Sequence, residues 1–135
     1  MARIVLTNAG VVIGGVDLSD HVAQVSVDQS WDEVETTAFG DGGRTRVAGL
    51  EDSSLTLSFH QDFAAASVDA TISPLIGGTA AFEIYADGTS VSATNPKYSG
   101  TVLLTEWSGV SGSVGDLLVV DVTWPVSGTV TRATA

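Results

Sequence analysis

Apolar and polar residues alternate along most of this chain with a period of two, the signature of strands with one face buried. In SSLTLSFH, Leu55, Leu57 and Phe59 fall on one face, and Ser54, Thr56, Ser58 and His60 on the other. VSVDQSWD separates Val25, Val27 and Trp31 from Ser26, Asp28, Ser30 and Asp32, and LLVVDVTW sets Leu118, Val120, Val122 and Trp124 on one side. AAFEIYADG and SGTVLLTEWSG read the same way. Turn chemistry separates the runs: Asp87-Gly88, Asn95-Pro96, the Ser/Gly stretch from Gly109 to Gly115, and Ser127-Gly128. Regular strands with glycine-rich turns predict an all-β fold, a two-sheet sandwich or barrel-like subunit.

One segment departs from this period. In SVDATISPLIGG, Val68, Ile72, Leu75 and Ile76 recur at helical spacing, with Ser67 placed as N-cap and Gly77-Gly78 as the stop. A short helix over about 67–77 is expected, irregular at its end because Pro74 removes an internal hydrogen bond. It should pack across an open edge or end of a sheet.

Composition narrows the picture. The 135 residues suit a single domain with its own core. Only 16% are charged, so Ser, Thr and Gly carry much of the surface. The lack of Cys removes disulfides, thiol nucleophiles and cysteine zinc sites. MARIVLTNAGVVIGG does not read as a targeting segment, and no window reaches the ~20 apolar residues of a membrane helix. The net charge of −11 argues against a conventional nucleic-acid binder, which needs a basic face to displace counterions.

Catalytic chemistry is thin. His21 and His60 have no zinc spacing, GDGGRTR lacks the alternating oxygen ligands of a calcium loop, and no nucleophile elbow, phosphate loop or dinucleotide fingerprint occurs. The expectation is a non-enzymatic protein with no cofactor and no metal.

The ordered series GVDLSDHVAQVSVDQSWDEVETTAFGD, GLEDSSLTLSFHQDF, SVDATISPLIGG, NPKYSGTVLLTEWS and SVGDLLVVDVTWPVSGTVTR spans about Gly15 to Thr131. It resembles the major tail tube protein of long-tailed, non-contractile bacteriophages, in the small version found in phages of actinobacteria. The resemblance implies a β-sandwich subunit, one domain over 1–135 with an amino-terminal arm over about 1–14, that assembles as hexameric rings. Those rings stack into a tube around a tape measure protein, growing from a tail-tip initiator and closed by a tail terminator. Subunit strands join into an inner barrel through which double-stranded DNA passes without specific binding. A long loop, about 36–52 and carrying Phe39, Asp41, Arg44 and Arg46, reaches a neighbouring ring. The resemblance places the protein in a virion tail assembled in the bacterial host cytoplasm, away from any membrane.

Physical chemistry can be set against that implication. Six subunits giving four strands each, at ~4.8 Å spacing and roughly 40° tilt, make a wall about 45–50 Å across at the backbone, and side chains shrink the channel to room for a duplex and little more. A bore lined with Lys and Arg would grip DNA. With only Arg3, Arg44, Arg46, Lys97 and Arg132 in the chain, such a lining is scarcely attainable. Ser26, Asp28, Ser30 and Asp32, with Thr56 and Ser58 beside them, are the expected lumen row; the competing placement puts that row on the tail exterior. Arg44 and Arg46 are expected to take carboxylates of an adjacent subunit, on a loop disordered before assembly and ordered within the tube.

Two other readings compete with this one. A carbohydrate- or protein-binding sandwich would use Trp31, Trp107 and Tyr98 in a groove. A tube protein of a contractile tail or secretion system would share much of the architecture.

Overall fold

The structure, a computed structural model, describes residue 7 and residues 9–65, 67–87 and 91–134. Among the described residues ten strands form in chain order: β1 (Gly10–Ile13), β2 (Val16–Asp17), β3 (Val22–Asp28), β4 (Trp31–Glu35), β5 (Arg46–Glu51), β6 (Ser54–His60), β7 (Thr79–Tyr85), β8 (Lys97–Leu103), β9 (Val119–Pro125) and β10 (Thr131–Ala133). They build a five-stranded sheet in the order β10-β8-β7-β1-β2, a three-stranded sheet in the order β3-β6-β9, and a separate two-stranded β4-β5 ribbon. All named pairings are antiparallel. This is the expected all-β sandwich.

The period-two residues explain why the two larger sheets face each other. Leu55, Leu57 and Phe59 of β6, Val120, Val122 and Trp124 of β9, and Ala80, Phe82 and Ile84 of β7 are all buried, while their neighbours point outward. Phe59 is the centre of the aromatic packing, 6.3 Å from the Trp124 ring and 5.8 Å edge-on from Trp107. Removing such a ring costs about 3–5 kcal/mol, so this cluster fixes how the sheets meet.

The helical segment is α1 (Val68–Ile72), followed by a single 3-10 turn, Ser73–Leu75, that holds Pro74. Val68 and Ile72 are fully buried, and Gly77 ends the segment at φ +86°. Ser67 stands at the N-cap position, but its hydroxyl bonds Asp62 and not the helix.

Three boundaries differ from the sequence reading. Within the expected arm, 1–6 and 8 lie outside the described residues, and Gly10–Ile13 is a sheet strand with Val11 and Ile13 fully buried. The expected 36–52 loop divides, since its second half is β5, so the single chain has a hairpin where an unstructured loop was expected. The run 25–32 is two strands, because the chain leaves β3 after Asp28 and begins β4 at Trp31.

Candidate assembly surfaces

The outer face of the three-stranded sheet is the first candidate. Its registers are Gln24↔Ser58↔Asp121, Ser26↔Thr56↔Thr123 and Asp28↔Ser54↔Pro125, so two polar rows run across three strands and a third is polar on β3 and β6. Ser26 donates to Asp28 Oδ1 at 3.1 Å, and the Thr56 and Thr123 hydroxyls lie 3.4 Å apart. Neither Lys nor Arg lies in these rows. Of the expected lumen residues, the structure brings Ser26, Asp28, Thr56 and Ser58 together on this face. Ser30 and Asp32 do not join them. Ser30 lies in the link after β3, where its hydroxyl donates to the Asp52 carbonyl, and Asp32 belongs to the ribbon beside Gly49. The reason is the break at Gln29-Ser30, which ends the alternation that the row assumed.

Sequence reasoning missed Gln24, Asp121 and Thr123 as members of this face, and missed Glu106 altogether. Glu106 Oε1 accepts the Thr123 N–H at 2.8 Å, and its carbonyl accepts the Trp124 indole N–H at 2.9 Å. This carboxylate therefore occupies one outward amide of edge strand β9, whose end is further closed by Pro125, a residue without an N–H. The register of β9 against β6 marks Asp121 as a face residue, but only the fold brings Glu106 to this edge.

The β4-β5 hairpin is the second candidate. Its root is fastened: Asp52 N–H donates to the Ser30 carbonyl at 2.7 Å, and Glu51 Oε2 accepts from Ser53 Oγ at 2.6 Å and from Val130 N–H at 2.9 Å. Beyond that root every β4 residue is exposed. Trp31 (51% exposed), Val34, Phe39, Val47 and Leu50 (80%) are all presented to solvent. Two-stranded ribbons are marginal on their own, and exposed apolar groups of this density mark contact surfaces.

Within the single chain both arginines pair inside the hairpin. Arg46 lies on β5, with its Nε on Glu33 Oε1, and Arg44 Nη1 is 3.7 Å from Glu35 Oε1. Both pairs are more than half exposed in part, so each contributes about 0–1 kcal/mol. The arginines already hold carboxylates of their own hairpin, leaving Val34 and Val47, paired across the ribbon, as its unsatisfied feature. Phe39 and Asp41 occupy the tip, where Asp41 N–H donates to the Ala38 carbonyl at 3.2 Å and Gly40 takes φ +95°.

At the far end of the sandwich, Asp62 joins three segments. It accepts from Ala64 N–H (2.9 Å) and Ser67 Oγ (2.8 Å), and its Oδ2 lies 2.9 Å from His21 Nε2. The Ala64 amide first, then the Ser67 hydroxyl, hold the carboxyl below its usual 3.8, with His21 adding to them against desolvation. Among the described residues no cluster of three or more His, Cys, Asp or Glu could hold a metal ion. The aromatics of the sugar-binding reading do not converge: Trp31 is on the ribbon, Trp107 packs on Phe59, and Tyr98 lines a groove with Val25, Val27 and Ile84.

No family model and no curated protein matches the chain. Solved structures do. The tail of an empty gene transfer agent particle, with C6 symmetry, superposes at TM-score 0.64 with 14% identity, over 85% of this chain and 83% of that one. This is a fold found in tails. The sheath/tube terminator structure of an extracellular contractile injection system, in the extended state, gives TM-score 0.70 at 17% identity, over 98% and 97% of the two chains. The virion of a native gene transfer agent particle gives 0.65 at 13% identity, over 84% and 85%.

Proposed function

We propose that this chain is a tail-tube subunit with a structural and not a catalytic role. Copies close sideways into hexameric rings and stack head-to-tail into a hollow tube. The carrying observation is the hairpin: a fastened two-stranded projection whose Trp31, Val34, Val47 and Leu50 stay exposed among the described residues. Burial against another copy is what makes such an element stable. The shared fold with a C6-symmetric tail supports the six-fold ring.

In this reading the Gln24, Ser26 and Asp28 rows turn toward the bore. Their hydroxyls and carboxylates repel or ignore phosphate, so double-stranded DNA slides past without counterion exchange. Phe39, Asp41, Arg44 and Arg46 lie at the contact between copies. The long-tailed, non-contractile phage setting, the tape measure, tip initiator and terminator partners, and assembly in the host cytoplasm belong to the same proposal.

A second reading is favoured by one observation, the end-to-end match to a sheath/tube terminator structure. A terminator caps a tube and does not extend one. Negative-stain imaging of the purified chain at rising concentration, with and without a tail-tip initiator, separates the two. Hollow tubes support the subunit reading. Single closed rings that never stack support the terminator, and a strictly monomeric chain overturns both.

A further inference from the structure

The edge strands of an open sheet carry backbone groups that invite a further strand. The three-stranded sheet has two such edges, β3 and β9, and the chain treats them differently. Among the described residues no side chain bonds a backbone amide of β3. On β9 the Thr123 N–H turns away from β6 and donates to Glu106 Oε1 at 2.8 Å. Alternation along the strand turns the Asp121 amide and the Pro125 nitrogen the same way, and proline has no hydrogen to offer. From Thr123 to Pro125 this edge is closed, while Asp121 carries no such cap among the described residues.

Glu106 lies in the connection between β8 and β9, where 104–118 forms neither helix nor strand. Its backbone is held without help from its side chain. Leu104 exchanges bonds with the 77–78 turn, Gly77 N–H to its carbonyl at 2.9 Å and its own N–H to the Gly78 carbonyl at 3.0 Å. The Glu106 carbonyl takes the Trp124 indole N–H at 2.9 Å, and the Gln61 side chain holds the Gly109 carbonyl at 2.8 Å. The exposed carboxylate can therefore rotate away while the rest of the segment stays in place. Its chemistry is also set apart. Glu33, Glu35 and Glu83 pair with Arg46, Arg44 and Lys97, whereas the Glu106 carboxylate has the Thr123 amide as its hydrogen-bond partner.

We infer that Glu106 is a displaceable latch on the β9 edge. In the free subunit its carboxylate occupies the amide that a strand of another copy needs. In the ring it rotates out, and β3 of the neighbouring copy pairs there. The occupant is β3 because it is the other edge of the same sheet, and rotation about a ring axis brings opposite edges of identical copies together. Displacement exchanges one hydrogen bond of Thr123 for another and returns the carboxylate to water. With one edge open and the other latched, isolated copies stay apart until a growing assembly offers enough strand contact to displace the carboxylate. This inference rests on the tube reading and adds to it a control over when copies join.

Amide exchange and assembly test the latch together. In the free parent subunit the Thr123 amide should exchange slowly and the Asp121 amide fast; in tubes both should be slow. An Asp121 amide as fast in tubes as in the free subunit overturns the latch and leaves the tube reading standing. Glu106→Ala should speed Thr123 exchange in the free subunit. It should also lower the concentration at which tubes first scatter light by at least about threefold, in line with the loss of one exposed hydrogen bond. Asp116→Ala removes the same charge from the same connection, where only its backbone N–H is engaged, with the Ser113 carbonyl, and its onset should match the parent's. A Glu106→Ala onset at or above the parent's, or an equal fall with Asp116→Ala, overturns the latch. Should Glu106→Ala prove unfolded by circular dichroism, Glu106→Gln decides by the same comparison, because it keeps the shape and weakens the bond by removing its charge. Failure of the unaltered chain to form tubes removes the tube reading and the latch with it.

Discussion

Strand β6 and the β4-β5 ribbon are neighbours in sequence and share the same chemistry, yet they use it oppositely. In β6 the alternation is converted into burial: Leu55, Leu57 and Phe59 vanish between the sheets while Ser54, Thr56 and Ser58 face out. In the ribbon Val34 pairs with Val47 and both remain exposed. The difference shows that a period of two specifies a strand without specifying what covers it. One element completes its own subunit; the other, in the proposed tube, is covered by another copy.

The sharpest way to break that contrast is to exchange their fates. Phe59→Ala should cost about 3–5 kcal/mol in denaturant unfolding, because the ring supports both Trp107 and Trp124. Phe39→Ser should leave unfolding within about 0.5 kcal/mol of the parent while abolishing tubes in negative stain. If Phe39→Ser destabilised the free subunit as much as Phe59→Ala, the tip would belong to the fold and not to assembly.

Asp62 offers a smaller effect with a defined pH signature. Its folded-state carboxyl titrates below 3.8, so its stabilisation is present above 3.8 and is lost as pH falls further through the folded value. Asp62→Asn should therefore lower stability at neutral pH, and the gap to the parent should close on acidification below 3.8. A gap that is constant with pH, followed by denaturant unfolding, would show that Asp62 acts through packing alone.

The smallest effect on folding belongs to the arginines. Reversing Arg44 and Arg46 to Glu breaks two exposed pairs worth about 0–1 kcal/mol each. The subunit should stay folded by circular dichroism, and polymerisation should stop because the hairpin then presents only acidic charge to another copy of a chain of net −11. Normal tubes from this double variant would show that the hairpin docks through its apolar residues alone.

The fold was largely legible in the sequence because its strands follow the period closely. Val120, Val122 and Trp124 alternate inward as the pattern implies, and α1 stops where Pro74 and Gly77 forbid continuation. The polar sheet face was legible in part. Ser26, Asp28, Thr56 and Ser58 share it because alternation assigns faces strand by strand, whereas Asp121 and Glu106 needed the β6-β9 register and the course of the chain past β9. Ser30 and Asp32 were misplaced because a two-residue break looks like a continuing strand when Val25 and Trp31 keep the phase. The ribbon was hidden for another reason. FGDGGRTR signals flexibility, and the strand of β5 is revealed only by its pairing with β4.

A reconstruction of tubes grown from the pure chain tests the central claim most directly. The account predicts rings of six copies, with the Asp28 and Asp121 face toward the bore and each hairpin buried against another copy. A tube with that face on its outer wall, or hairpins left free in solvent, would contradict it.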